Sequence, residues 1–322
     1  MNDLNSGSTL ITGGTGFAGS HLIEYLLNQQ LVNPELLHTT YYSDVPDYLA
    51  HRLPAQNFHK IDLTSIQATN QLLALIQPKF IYHLAAFASV GNSFEKSRQA
   101  VLNNISLQLN LLEAIQNQVH QARLLLIGSA ESYGISQPDE LPIKEDHPFR
   151  PVNPYGVSKL AQEMLGYAYA QSWQLDIVRV RPFNHIGERQ TADFAIPSFA
   201  KQIVAIERGH QPTLKVGNLD AIRDFTDVKD MVKAYQLLVA TGISGEVYNI
   251  GSGQGKTMKE VVELLCSLST VSIHVEVDQS KLRPLDIPVV IANNERVRQL
   301  GWQPTISLLS SLQRVLEYWR AQ

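Results

Sequence analysis

Residues 8–29 place the tightest limit on what this chain can fold into. Residues 8–12 (STLIT) form a short apolar run of strand character, and Gly13, Gly16 and Gly19 follow at three-residue spacing. Phe17, Leu22, Ile23, Leu26 and Leu27 then recur at helical period through Gln29. Backbone without a Cβ turns tightly and approaches a pyrophosphate, whose charge sits on the free N–H groups at a helix N-terminus. A glycine string alone also fits a capped turn. The strand before it and the helix after it make it a dinucleotide-binding loop.

The rest of the first half keeps the same rhythm. Residues 36–42, 58–61, 80–85, 124–127 and 177–180 read as strands with no hydrophobic alternation. Helical patterns run through Leu72, Leu73, Leu75 and Ile76, through 100–118 and through 155–170. Strands apolar on both faces and separated by helices imply a doubly wound parallel sheet, an α/β fold of Rossmann type. After Pro182 the rhythm loosens: helices are expected at 196–208, 228–239, 257–268 and 306–320, with strands at 247–250 and 273–277. This predicts a dinucleotide-binding domain over 1–181, to which residues around 217–250 return. Residues 182–322 are mainly a smaller α+β substrate lobe.

Composition narrows the function. Apolar residues at 44% of 322 provide a substantial core, and a net charge of −4 leaves no basic excess to hold a nucleic-acid backbone. One cysteine, Cys266, excludes an internal disulfide or a cysteine cage, and it falls in an apolar helical stripe as a core residue. No two of the ten histidines flank a carboxylate at i, i+4 spacing, so no metal site is expected. No run approaches the ~18 apolar residues of a membrane span. The opening MNDLNSGSTLITGG lacks a basic region followed by an apolar one, so a cytoplasmic enzyme without membrane or nucleic-acid partners is expected.

Within the dinucleotide site, the second strand ends in Tyr41, Tyr42 and Ser43, with Asp44 one turn too far to bond the ribose 2′-hydroxyl. Without a carboxylate there the site does not repel a 2′-phosphate, so NADP(H) is preferred over NAD(H). Asp62 and Leu63, after the third strand, are candidate adenine contacts, with an N-cap for the next helix as the alternative for Asp62. Tyr155 and Lys159 stand at i and i+4 on one helix face. A phenol titrates near about 10, and an ammonium one turn away favours proton transfer at neutral pH. Ser129, at the carboxyl end of a buried strand, lies where open α/β sheets place their ligands.

These residues carry a resemblance. GGTGFAG, HLAA (83–86), Ser129 four residues before Tyr133-Gly134, NPYGVSK (153–159), RPFNHIG (181–187) and RDFTDV (223–228) resemble the extended short-chain dehydrogenase/reductases that modify nucleotide sugars, along essentially the whole chain. Within that family, RPFNHIG, GNLDAIRDFTDV (217–228) and LRPLDIP (282–288) look most like the GDP-4-keto-6-deoxy-D-mannose reductases. The resemblance implies catalysis by Ser129, Tyr155 and Lys159, with Glu131 a further candidate. It implies cofactor contacts at Gly13, Thr15, Gly16, Phe17, Gly19, Asp62, Leu63, Leu84, Ala85, Ala86, Tyr155, Lys159 and Pro182. For the sugar nucleotide it implies Ser89, Lys201 and Asn218. It also puts Asn184, Arg223 and Arg283 on the diphosphate and Asp286 on the nucleoside ribose, guanidinium groups being suited to bidentate phosphate binding. Phe87 and Ala88 depart from the Gln-Ser usual beside the sugar.

The implied reaction is NAD(P)H-dependent reduction of a GDP-4-keto-6-deoxy-hexose to a GDP-6-deoxy-hexose of GDP-D-rhamnose type. A 4,6-dehydratase with Glu131 as the C5 base is the alternative, followed by a 4-epimerase and, more remotely, a non-catalytic dinucleotide sensor. Apolar residues beyond one stripe on the helices at 100–118 and 155–170 imply a homodimer through a four-helix interface, as family members form. His185 is read as a structural hydrogen-bonding residue and Trp302 as a packing anchor.

Overall fold

The computed structural model describes residues 3–87, 94, 96–282 and 285–322. The chain runs β1 (Thr9–Thr12), α1 (Phe17–Asn28), β2 (Leu37–Tyr41), β3 (Phe58–Lys60), α2 (Ile66–Ile76), β4 (Phe80–His83), α3 (Ser97–Gln118), β5 (Arg123–Ile127), α4 (Pro154–Trp173) and β6 (Ile177–Pro182). It continues through β7 (Asn184–Ile186), α5 (Ala195–Glu207), β8 (Leu214–Val216), β9 (Ile222–Asp227), α6 (Val228–Thr241), β10 (Val247–Ile250), β11 (Gly255–Thr257), α7 (Met258–Ser267), β12 (Val275–Val277), β13 (Val289–Val290) and α8 (Leu308–Arg320).

A seven-stranded parallel sheet has the order β10-β6-β5-β4-β1-β2-β3. Its central strands β1, β4 and β6 are buried along their whole length, as expected of strands covered on both faces. On one face Leu22, Ile23 and Leu26 of α1 pack with Val228, Met231, Tyr235 and Leu238 of α6. On the other, Leu72 and Leu73 of α2 meet Leu111, Leu112 and Ile115 of α3 and Tyr169 of α4. The doubly wound architecture read from the sequence is therefore the observed one.

The second half contains more strand than its sequence suggests. β9 lies between antiparallel β11 and parallel β13, with β7 paired along its far end, and β8 and β12 form a separate parallel pair. Only β10 and β12 were expected, the latter two residues longer at its start. The others run six residues or fewer, and β9 (IRDFTD) carries charges because Arg223 lines a cleft, Asp224 accepts from the N–H groups of Ser252, Gly253 and Ala292, and Asp227 caps α6. Within residues 217–250, α6 and β10 join the large sheet, whereas β9 is the middle strand of the small one. A distinct core of Ile196, Phe199 and Ile203 on α5, Val261 and Leu265 on α7, and Leu312 and Leu316 on α8 supports the small sheet.

Candidate active site

The carboxyl ends of β1 to β6 and the small sheet enclose a cleft of about 1150 Å³. The glycine loop forms its first wall. Gly13 has φ +69°, a backbone conformation that disfavours a side chain, and a Cβ on Gly19 would stand 2.4 Å from the Gly13 carbonyl oxygen. Gly13 N–H donates to Thr40 Oγ1 at 3.0 Å, joining the loop to β2. Gly16 caps α1 without a side chain, leaving the helix N-terminus open to a phosphate. Phe17 stacks on His185 with centroids 5.6 Å apart, and the His185 ring also bonds the Phe183 carbonyl. His185 therefore has its structural bond and lines the cleft as well.

The far end of this wall is built by Tyr41, Tyr42, Ser43, Asp62, Leu63 and Thr64. Asp62 is not the N-cap of the next helix: Ser65 caps α2, its Oγ accepting from Ala68 N–H. Asp62 Oδ1 instead accepts from Thr64 N–H and Oγ1 at the cleft edge. Thr15, Leu84, Ala85, Ala86 and Pro182 line the same space.

Ser129, Tyr155 and Lys159 converge on the opposite wall. Ser129 follows β5 by two residues and opens a short turn of 3₁₀ helix, and its hydroxyl acts on the Tyr155 phenol. Burial pushes the Tyr155 phenol up to about 12, the Ser129 bond opposes this, and the nearby Glu131 charge adds to it. Lys159 donates to the Ile127 carbonyl at 2.6 Å, and burial lowers it to about 8. The spacing of Tyr155 and Lys159 predicts that the lysine lowers the phenol. The Ser129 hydroxyl acts on the phenol in that sense.

Glu131 lines the cleft beside Ser129, its Oε2 accepting from Asn153 Nδ2 at 2.8 Å. Asn153 Oδ1 accepts from Gly156 N–H at 2.7 Å, so one side chain caps α4 and holds Glu131. Asn104, on α3, was missed by the sequence reading. Its amide brackets Phe87, accepting from the N–H at 2.7 Å and donating to the carbonyl at 3.2 Å, and it donates to Ser158 Oγ at 2.9 Å. It thereby ties the segment after β4 to the helix carrying Tyr155.

On the small sheet, Asn184, Asn218, Arg223 and Asp286 reach the cleft. Arg223 Nη2 donates to Asp286 Oδ1 at 2.8 Å, and Asn218 Nδ2 donates to Asp286 Oδ2 at 3.1 Å. Assigned to different parts of a nucleotide by sequence, these groups form one bonded cluster. Lys201 is not brought to the cleft. It lies on the exposed face of α5, its Nζ 5.5 Å from the Trp319 ring centroid, while Ser198 and Phe199 face inward. Ser89 and Arg283, and the unusual Ala88, lie outside the described residues. Among the described residues no group of three metal-ligating side chains occurs, and no helix is long and apolar enough to cross a membrane.

A glycine loop and a Ser–Tyr–Lys set facing each other across the carboxyl edge of a parallel sheet define an extended short-chain dehydrogenase/reductase. The chain belongs to the family described as GDP-mannose 4,6 dehydratase, which it matches over residues 10–315. It is 33% identical over 316 residues to the GDP-6-deoxy-D-mannose reductase of Pseudomonas aeruginosa, covering 97% of each chain. Among solved structures it is similar to RMD from Pseudomonas aeruginosa complexed with NADPH, at 32% identity and a TM-score of 0.84 over 98% of this chain and 99% of that one. The UDP-glucose 4-epimerase of Thermus thermophilus in complex with NAD superposes with a TM-score of 0.85 at 26% identity, over 97% and 99% of the two chains.

Proposed function

We propose that this protein is an NAD(P)H-dependent reductase of nucleotide sugars. It converts the C4 keto group of a GDP-4-keto-6-deoxy-hexose to the alcohol of a GDP-6-deoxy-hexose, GDP-D-rhamnose in type. Residues 1–181 hold the dinucleotide and residues 182–322 mainly the sugar nucleotide. The observation that carries the reading is Tyr155 on the cleft wall beside Ser129, its phenol kept protonated at neutral pH by burial. Carbonyl reduction calls for a proton donor at that place.

The glycine loop would hold a nicotinamide dinucleotide, which would supply the hydride to C4. Ser129 donates a hydrogen bond to the carbonyl oxygen, and Tyr155 gives it a proton as the alkoxide forms. Lys159, as an ammonium, stabilises the phenolate left behind. Arg223, Asn218 and Asp286, with Asn184 on the neighbouring strand β7, hold the nucleotide diphosphate and ribose. The absence of a carboxylate among Tyr41, Tyr42 and Ser43 favours NADPH. Similarity to a GDP-6-deoxy-D-mannose reductase along nearly the whole chain supports the same reading.

Glu131 supports a second reading. Held by Asn153 on the cleft wall, its carboxylate stands where a 4,6-dehydratase keeps the base that removes the C5 proton. Incubation with GDP-mannose alone, and then with GDP-4-keto-6-deoxymannose and NADPH or NADH, separates the two. Oxidation of the reduced nicotinamide only with the keto sugar supports the reductase. Conversion of GDP-mannose without net cofactor change replaces it with the dehydratase. We further assign a cytoplasmic homodimer, paired through α3 and α4, whose outer faces expose Leu102, Val157, Tyr167 and Trp173.

A further inference from the structure

Beneath the Ser129 turn lies a buried charge cluster that takes no part in the steps above. Glu163 is fully buried on α4, one helical turn beyond Lys159. Its Oε1 accepts from Arg179 Nη1 at 3.1 Å and from Arg181 Nη2 at 2.6 Å, and its Oε2 accepts from Arg181 Nε at 2.8 Å. Arg181 Nη1 also donates to the Tyr133 hydroxyl and to the Glu145 carbonyl, each at 2.7 Å. The Tyr133 hydroxyl in turn donates to Asn249 Oδ1 at 2.6 Å. These contacts fix Glu163 from β6, and Arg181 from β10 and the loop before α4.

Gly128 makes the arrangement possible. A Cβ there would stand 3.0 Å from Glu163 Oε2 and 2.9 Å from the Val180 carbonyl oxygen. The carboxylate packs directly under the backbone that leads to Ser129. Lys159 bonds the same backbone one residue earlier, at the Ile127 carbonyl.

A buried ion pair is often no more stable than an apolar pair of the same volume, so stability alone is a weak reason for this one. Its position suggests another. Lys159, Arg179 and Arg181 place three cations in this interior. Tyr155 on α4 faces Lys159 as a neutral phenol, and Tyr235 on α6, next to Tyr155, is kept neutral by burial. His83 on β4 also faces the ammonium, and burial and Lys159 together lower it to about 3, so its ring is uncharged. Glu131 acts on Tyr155. Among the described residues, Glu163 is the anion that acts on the Lys159 ammonium, opposing the pull of burial.

We propose that Glu163 is a positioning residue for Lys159. Clamped by Arg179 and Arg181 under the Gly128–Ser129 turn, its fixed negative charge keeps the lysine an ammonium at the working pH. The inference rests on the role given to Lys159 under the proposed function.

The test reads Lys159 directly, in full-length protein labelled with ¹³C at lysine Cε. The Lys159 resonance is assigned by its loss in Lys159→Arg. Wild-type Lys159 should titrate at about 8. In Glu163→Gln it should become an acid about tenfold stronger or more, one unit lower in pH. The alkaline limb of kcat should move to lower pH by the same amount, and Glu163→Asp, which keeps the charge, should restore most of it. If Glu163→Gln does not fold, Glu163→Gln with Arg181→Met is compared with Arg181→Met alone, and the double variant should titrate about tenfold lower at Lys159 than that single variant. An unchanged Lys159 midpoint in the folded variant overturns the proposal, and so does a wild-type midpoint below about 6. The resonance needs no sugar substrate. Failure to reduce a GDP-4-keto-6-deoxy sugar would therefore count against the proposed function while leaving this result readable.

Discussion

Tyr155 is held by opposed influences: burial raises its phenol to about 12, while the Ser129 hydroxyl pulls it back. At neutral pH it is a proton donor awaiting an acceptor. Tyr155→Phe keeps the ring and removes the proton, so kcat should fall by roughly 10²–10⁴ while KM changes far less. Steady-state kinetics check this, and near-normal turnover would refute the role. Glu131 has no obligatory part in reducing C4, so Glu131→Gln should keep kcat within about tenfold, or ~1.4 kcal/mol of barrier. A drop of three orders of magnitude at unchanged thermal stability would instead make Glu131 a base. Ser129, Tyr155, Lys159 and the glycines were legible because their chemistry is tied to short spacings. The bond between Arg223 and Asp286 was not, since it joins residues 63 apart. Asn104 was missed for the same reason, its partners being brought to it only by folding. Lys201 was misplaced because its composition does not reveal which face of α5 turns to the cleft.

The helix that carries Tyr155 starts on a single side chain with two duties. Asn153→Ala removes the cap of α4 and should lower stability by about 1 kcal/mol in urea denaturation. An unaltered unfolding curve would contradict the capping role. The edge strands make a pH-dependent prediction. His38 Nδ1 on β2 lies 3.2 Å from His59 Nε2 on β3, and burial, with His59 adding, lowers His38 to about 4. The unfolded chain takes up a proton near about pH 6.5 that the folded chain refuses. Stability from this pair is therefore present above that pH and is lost as pH falls toward about 4. His38→Gln should flatten the drop between pH 7 and pH 5 in urea midpoints, and an unchanged slope would remove His38 from the account. The long helices and the strands of the large sheet were readable because period and apolar run agree with burial on both faces. β7, β8, β9, β11 and β13 were not, because their pairing is non-local and their sequences are short or charged.

Beyond α3 and α4 the molecule presents an apolar groove lined by Val101, Leu102, Pro151, Val152 and Val157. The homodimer proposed above would cover this surface. Light scattering at micromolar concentration should give twice the 35.9 kDa chain mass, and a monomeric mass would exclude the interface. Joining the two lobes more firmly than any linker is β10, which reaches the edge of the large sheet only after the chain has built β7, α5, β8 and β9 elsewhere. A fragment cut after Pro182 would therefore be no independent nucleotide-binding module. It would lack α6, whose side chains cover α1, and would leave β6 as an unpaired border with its N–H and C=O groups free to recruit strands from other chains. Such a truncation should drive the protein toward insoluble assemblies, and limited proteolysis of the intact chain should yield no stable N-terminal half.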